Sequence, residues 1–97
     1  MFTEKDFQRS VVELARLHHW SVYSIPDSRA ASQAGFPDLT LWRDETFFFV
    51  ELKTQQGRLS PVQEKVHAAL RQAHQVVMVW RPRDWPTIEK ALGRWPV

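Results

Sequence analysis

Apolar residues near the start of the chain recur at intervals of three and four, which is the spacing of one face of an α-helix. They are Phe7, Val11, Leu14 and Ala15, and His18 continues the same stripe. Thr3 is a suitable N-cap for this helix, and Glu4 and Asp6 lie in its first turn, where the helix dipole favours anions. Over residues 20–25 the pattern changes to alternation, which predicts a β-strand that ends at Pro26.

Two further strands are predicted at residues 39–43 and 46–54. Only Asp44 and Glu45 separate them, so the two strands form an antiparallel hairpin. Side chains along the second strand alternate between its two faces. One face carries Phe47, Phe49, Glu51 and Lys53, and the other carries Phe48, Val50 and Leu52.

The segment before this hairpin is small and polar, and it is predicted as a loop over residues 27–35. Gly35 favours a turn that leads into Asp38. Because the hairpin strands lie side by side, Asp38 at the start of the first can approach Glu51 near the end of the second. Two carboxylates with Lys53 beside them can serve a hard divalent cation and a phosphate or a water.

The second half of the chain predicts a helix, a strand and a helix. Ser60 is the N-cap of the first of these helices, followed by a proline at the first helical position and by Gln63 at the third. This helix is predicted to run to about His74, residues 76–80 form a buried strand, and Asp84 caps the last helix. The apolar residues of that helix are Trp85, Ile88, Ala91 and Leu92. The order α-β-β-β-α-β-α predicts an α/β fold, a mixed central sheet flanked by helices.

Composition limits the possible functions. The chain has 97 residues, 43% of them hydrophobic, which is enough for one small domain over residues 1–97. The absence of cysteine excludes disulfides, thiolate zinc sites and cysteine nucleophiles. No signal-peptide pattern and no apolar run of roughly 20 residues occurs, so we expect a cytoplasmic protein with no membrane partner. The net charge of +2 and the pI near 9.4 are compatible with a polyanionic partner.

Three runs of the sequence resemble the stand-alone VRR-NUC (virus-type replication-repair nuclease) domains of the PD-(D/E)xK nuclease superfamily. The runs are GFPDLTLW, FFFVELKTQQGRLSPVQ and VVMVWRP. The most specific part is ELKT-x-x-G-x-L-S-x-x-Q, and the resemblance covers nearly the whole chain. It implies a restriction-endonuclease-like core that hydrolyses DNA with Mg²⁺ or Mn²⁺. Bacterial and viral stand-alone members resemble Holliday junction resolvases and act as homodimers on four-way junctions, so the resemblance also implies a homodimer that is bacterial or phage-encoded.

The resemblance also implies a function for individual residues. The family's catalytic positions match Asp38, Glu51, Lys53 and Gln63. In the family an acidic or amide residue of the first helix tends to reach the metal, which here is Gln8 or, one turn earlier, Glu4. The backbone carbonyl of Leu52 is a further candidate metal ligand, because alternation turns its side chain away while its main chain stays within reach.

The chemistry of phosphodiester cleavage suits these residue types. A catalyst must neutralise the transition state, generate a nucleophile from water and stabilise the leaving alkoxide, and a divalent ion helps with all three. Asp38 and Glu51 are the expected carboxylate ligands. Lys53 would orient the attacking water or contact the phosphate, and Gln63 would orient Lys53 or the water.

Each residue also has a purely structural interpretation. Asp38 can bond to the backbone within a turn, and Glu51 and Lys53 can form an ion pair on a solvated strand. Gln63 can serve only to complete a capping box, and the side chain of Gln8 can simply be exposed to solvent. The alternatives for the whole protein are a non-catalytic DNA-binding module, or a nuclease that cleaves flaps or linear duplex without preference for junctions.

The remaining polar residues add one expectation. Arg29, in the loop before the first acid, is the best candidate for a DNA contact, although it can equally be a solvated loop residue. The histidines do not predict a zinc site, because His18 and His19 are adjacent while His67 and His74 lie two helical turns apart. We expect these histidines at surface or packing positions.

Overall fold

Three helices and four strands follow one another in the order that the sequence predicts. The structure is a computed structural model, and it describes residues 3–25 and 32–93. The elements are α1 (Glu4–Leu17), β1 (Ser21–Ser24), β2 (Leu39–Arg43), β3 (Thr46–Leu52), α2 (Pro61–Gln72), β4 (Val77–Trp80) and α3 (Trp85–Leu92). A 3-10 turn, Pro82–Asp84, precedes α3 and was not predicted. Within the described ranges, no helix has the length and apolar character needed to cross a membrane.

The four strands form one mixed sheet in the order β1-β2-β3-β4. Strands β1, β2 and β3 pair antiparallel, whereas β4 pairs parallel to β3. The β2–β3 hairpin turns at Asp44, whose φ of 54° lies in the left-handed region that aspartate tolerates. Strand β3 therefore has a hydrogen-bonded neighbour on each side over most of its length. The prediction of an α/β fold with a mixed sheet flanked by helices is confirmed.

One face of the sheet carries the main core. Helices α1 and α3 cover it, because their apolar stripes match the apolar face of β3. The buried residues on this side are Phe7, Val11, Ala15, Trp20, Leu39, Leu41, Phe48, Val50, Leu52, Trp80, Ile88 and Leu92. Arg43 ties the ends of both helices together: its guanidinium lies over the ring of Trp20 at 4.4 Å and donates to the carbonyls of His18, Leu92 and Gly93.

The opposite face is covered only in part. Helix α2 lies over the C-terminal half of β3, where His67 contacts Glu51, and over β4, where Arg71 donates to the carbonyl of Val77 at 2.7 Å. Beyond α2 the same face carries an exposed aromatic patch, which consists of Tyr23, Trp42 and Phe47. Glu51 lies on this face under α2, so a polar site and an aromatic surface share one side of the sheet.

The helix starts agree with the sequence in two cases and differ in the third. Thr3 and Ser60 both cap their helices through complete capping boxes. Asp84 precedes α3 as predicted, but its side chain makes no cap hydrogen bond to that helix. Its carboxylate instead accepts from the backbone N–H of Arg81 at 2.8 Å, which closes the 3-10 turn.

Candidate active site

Glu51 is a buried carboxylate at the centre of the candidate site. Strand β3 delivers it to the face under α2, and only 2% of its surface is exposed. Its Oε1 lies 3.1 Å from Nε2 of His67, and its Oε2 accepts from the side-chain amide of Gln63 at 3.4 Å. A buried carboxylate needs such partners, because burial without them is costly.

Asp38 lies immediately before β2, next to the end of β3. Its Oδ2 accepts from the backbone N–H of Leu52 at 2.8 Å, and its own carbonyl accepts from Ile25. The β2–β3 ladder ends at the pair Leu39 and Val50, so the next position opposite Leu52 belongs to Pro37. The N–H of Leu52 therefore donates to the side chain of Asp38, whereas in a continued β-ladder it would donate to a backbone carbonyl of the neighbouring strand.

Proline at position 37 also leaves the carbonyl of Leu52 without a ladder donor, because proline has no N–H. In a β-strand the N–H and the C=O of one residue point to the same side. Since the N–H of Leu52 points to the carboxylate of Asp38, its C=O faces the same side of β3. This is the carbonyl that the sequence analysis names as a candidate metal ligand.

The electrostatics of Glu51 confirm that the two acids lie together. Burial, followed by the hydrogen bond and the charge of Asp38, raises the pKa of Glu51 to about 9. The positive charge of Lys53 lowers this pKa, and the negative charge of Glu4 raises it. At neutral pH the pair therefore holds a proton unless a cation takes its place.

Gln63 serves two purposes at once. Its side-chain oxygen accepts from the N–H of Ser60 at 2.9 Å, which completes the capping box, while its amide nitrogen donates to Glu51. The structural and the functional interpretations of Gln63 are therefore compatible, because the capping box fixes the amide that reaches the carboxylate. Its contact is with Glu51, whereas the sequence predicted one with Lys53 or a water.

Gly35 brings the segment before Asp38 against the first turn of α2. Its φ of 84° lies in the left-handed region, and a Cβ at this position would meet the carbonyl oxygen of Val62 at 2.7 Å. Only glycine fits there without a shift of the backbone. The contact joins the Asp38 segment to the helical turn that carries Gln63.

The loop after Lys53 is held from the other side of the site. Lys53 donates its backbone N–H to the carbonyl of Trp80 at 3.0 Å, which extends the β3–β4 pairing by one residue. Arg81 then donates to the carbonyls of Thr54 and Gly57, so the loop folds back toward β4. These contacts place Lys53, on the same face as Glu51, at the start of a braced loop.

His67 is the residue of this site that the sequence analysis missed. It is buried, with 1% of its surface exposed, and it contacts Glu51 directly, although it was expected only at a surface or packing position. Burial lowers its pKa, and the charge of Arg71 lowers it too. The available signal was its spacing of four residues from Gln63, which places both side chains on one face of α2.

Two further site residues were predicted from the sequence, Gln8 and Arg29. Gln8 is half-buried on α1, and its role as a metal ligand stays a prediction. Arg29 lies outside the described residues. Within residues 3–25 and 32–93, no group of three histidine, cysteine, aspartate or glutamate side chains is arranged to hold a metal ion. Any ion at this site would therefore use the two carboxylates together with neutral oxygen donors.

One comparison with known proteins identifies the family of the chain. Residues 3–83 match the VRR-NUC domain, and the predicted site residues Asp38, Glu51, Lys53 and Gln63 fall within this range. No curated protein and no solved structure shows significant similarity to the chain. Since the match covers most of the sequence, the chain belongs to the VRR-NUC family, whose domain is a nuclease of the PD-(D/E)xK type.

Proposed function

We propose that this nuclease is a metal-dependent, structure-selective endodeoxyribonuclease in which residues 1–97 form one domain. The observation that carries the proposal is the meeting of two carboxylates, Asp38 and Glu51, beside Lys53 at the end of paired strands. A structural ion pair between Glu51 and Lys53 would not need a second acid at this point. The raised pKa of Glu51 means that its ionised form destabilises the folded protein.

The donor set fits Mg²⁺ or Mn²⁺. All candidate ligands are hard oxygens: the carboxylates of Asp38 and Glu51 and the carbonyl of Leu52. Two carboxylates with few further protein ligands are typical of magnesium sites, which retain several waters. When bound, the ion would supply charge for the scissile phosphate and lower the pKa of an attacking water. Gln8 on α1 would add a neutral amide oxygen to this set.

The remaining residues prepare the site. Gln63 holds one oxygen of Glu51, so that the carboxylate keeps one orientation. Lys53 stands on the same strand face two residues later, where its ammonium can contact a phosphate oxygen or orient the water. Arg81 braces the loop that follows, and this would keep Lys53 in place when DNA binds.

We further propose a homodimer that cleaves branched DNA, with four-way junctions as the principal substrate. The likeness to stand-alone VRR-NUC domains supports this, and so does the exposed aromatic patch. Its three residues expose 58% (Tyr23), 41% (Trp42) and 48% (Phe47) of their surfaces. Trp42 and Phe47 are cross-strand partners, and exposed apolar patches mark association sites. A second copy of the chain packed there would present two active sites to opposing strands.

A cleavage assay tests the proposal. Purified protein is incubated with a four-way junction, a flap, a nicked duplex and a linear duplex, each in Mg²⁺, Mn²⁺ or EDTA. We expect paired nicks in the junction with either ion and no product in EDTA. Asp38→Asn should abolish cleavage while junction binding in EDTA survives. The matched control is Asp44→Asn in the exposed hairpin turn, which should cleave like the wild type.

Two results would contradict parts of the proposal. Full cleavage by Asp38→Asn would mean that the site lies elsewhere. Equal cleavage of the flap and the linear duplex would leave the nuclease intact and remove the junction preference, which is the alternative that the sequence analysis left open.

A further inference from the structure

His67 is buried against the proposed metal ligand Glu51, and the hydrogen bonds available to its ring limit what it can do there. Its Nε2 lies 3.1 Å from Oε1 of Glu51, and both side chains are almost completely buried. Its other ring nitrogen, Nδ1, is buried without a hydrogen-bond partner among the described residues. The contact with Glu51 is therefore the polar interaction through which this ring acts.

A neutral imidazole has one N–H, and the position of that proton decides the direction of the bond. A proton on Nε2 is donated to Glu51, whereas a proton on Nδ1 would be buried without an acceptor, which costs free energy. The tautomer with Nε2–H is therefore the favoured one. It makes His67 a donor to Glu51 from one side, as Gln63 is from the other.

We propose that His67 is a positioning residue: its Nε2–H fixes the carboxylate of Glu51 in the orientation that binds the catalytic metal ion. The inference rests on the proposed function, because it needs Glu51 to be a metal ligand. With one hydrogen bond on each oxygen, the carboxylate cannot rotate freely, and one lone pair of each oxygen stays available. Partners of metal ligands act in this way, and their loss typically weakens metal affinity about 10- to 100-fold.

Two substitutions at this position separate the hydrogen bond from packing. His67→Leu keeps an apolar body of similar size but has no donor, whereas His67→Gln restores a side-chain N–H toward Glu51. Ile88→Val is the control for lost stability alone, since Ile88 is a buried residue of α3 that packs into the main core on the opposite face of the sheet. Circular dichroism confirms that each variant is folded.

Isothermal titration calorimetry with Mn²⁺ alone, on the full chain, is the main measurement. We expect His67→Leu to bind Mn²⁺ about 10- to 100-fold more weakly, with His67→Gln recovering most of the loss and Ile88→Val unchanged. The Mg²⁺ concentration for half-maximal junction cleavage should rise by the same factor in His67→Leu, while junction binding in EDTA stays constant. A purely structural role would not weaken metal binding while it leaves DNA binding unchanged.

Asp38→Asn makes the two kinds of failure distinguishable. If Asp38→Asn loses Mn²⁺ binding while His67→Leu binds like the wild type, the role of His67 is refuted and the metal site stands. If Asp38→Asn also binds like the wild type, the proposed site itself is wrong, and this inference falls with it.

A measurement on the wild type covers the case in which His67→Leu does not fold. Nitrogen-15 spectra of the histidine rings identify which nitrogen of His67 carries the proton. A proton on Nε2 before and after addition of Mg²⁺ supports the inference, and a proton on Nδ1 overturns it.

Discussion

Replacing Glu51 with glutamine should make the metal-free protein more stable at alkaline pH and at the same time inactive. The neutral amide resembles the protonated acid in size, and it can donate to Asp38 as that acid does. In the wild type the pKa of Glu51 is raised from an ordinary value of 4.5 to about 9, so the folded protein keeps a proton that the unfolded chain releases. Stability then falls as the pH rises between these two values.

The size of the effect follows from this linkage. One proton held by the folded state alone changes the free energy of unfolding by about 1.4 kcal/mol per pH unit. At pH 8 the accumulated cost in the wild type is at most about 5 kcal/mol, and near pH 5 it is small. We expect Glu51→Gln to exceed the wild type by about 2 kcal/mol or more at pH 8, which is roughly 8 to 16 °C in melting temperature for a chain of this length.

Urea denaturation in EDTA at pH 5, 6, 7 and 8 measures the difference directly. Because the two proteins differ only at this residue, the gap between them reports the titration of Glu51 together with its coupling to Asp38. The matched control is Glu45→Gln, an exposed acid in the hairpin turn, which should track the wild type at every pH. A gap for Glu51→Gln that does not widen with pH would refute the argument, since the cost of the buried acid would then be absent.

Three further outcomes follow from packing. Gly35→Ala should lower the free energy of unfolding by about 2 kcal/mol or more in urea titrations, because its φ is positive and its Cβ would meet the Val62 carbonyl. Arg43→Met should cost about 2 kcal/mol in the same titrations, because it removes the side-chain donor to the carbonyls of His18 and Gly93 and uncovers Trp20. Phe47→Glu should convert the proposed dimer to a monomer in light scattering, because it puts a charge into the exposed aromatic patch.

Each of these has its own control. Gly57→Ala, at a glycine without the positive φ of Gly35, should cost less than Gly35→Ala. Arg43→Lys should recover only part of the loss, since an ammonium cannot donate to three carbonyls in the geometry of a guanidinium. Leu17→Glu, on the exposed side of α1, should leave the mass unchanged. A wild-type monomer at working concentration would contradict the homodimer.

Short-range patterns predicted most of the fold because each pattern has a local cause. The stripe that begins at Phe7 gave α1, the turn at Asp44 gave the hairpin, and the cap at Ser60 gave the start of α2, in each case within a residue or two. The 3-10 turn before α3 was missed. Asp84 bonds there to the N–H of Arg81 and not to the helix that follows it, and local sequence does not distinguish the two uses of a capping aspartate.

Of the candidate site, the sequence predicted only the residues that strand register places next to each other. Asp38 and Glu51 could be paired from the hairpin alone, because antiparallel register fixes which residues are opposite. His67 could not, since its contact depends on how α2 lies across the sheet, a property set by packing at positions such as Gly35 and Val62. A histidine on a helix has many possible neighbours, and only the fold selects the acid.

We expect metal binding at this site to stabilise the folded protein. Holding Asp38 and Glu51 together destabilises the metal-free protein, so an ion that binds only the folded state should restore stability in proportion to its affinity. At a free Mg²⁺ concentration 100 times the dissociation constant the gain is about 2.7 kcal/mol. The wild type should therefore melt higher in Mg²⁺ than in EDTA at pH 8, whereas Glu51→Gln, which has lost a charged ligand, should show a much smaller rise. Equal rises in both proteins would mean that the ion binds elsewhere. Metal binding would then not offset the destabilisation that the buried Glu51 causes.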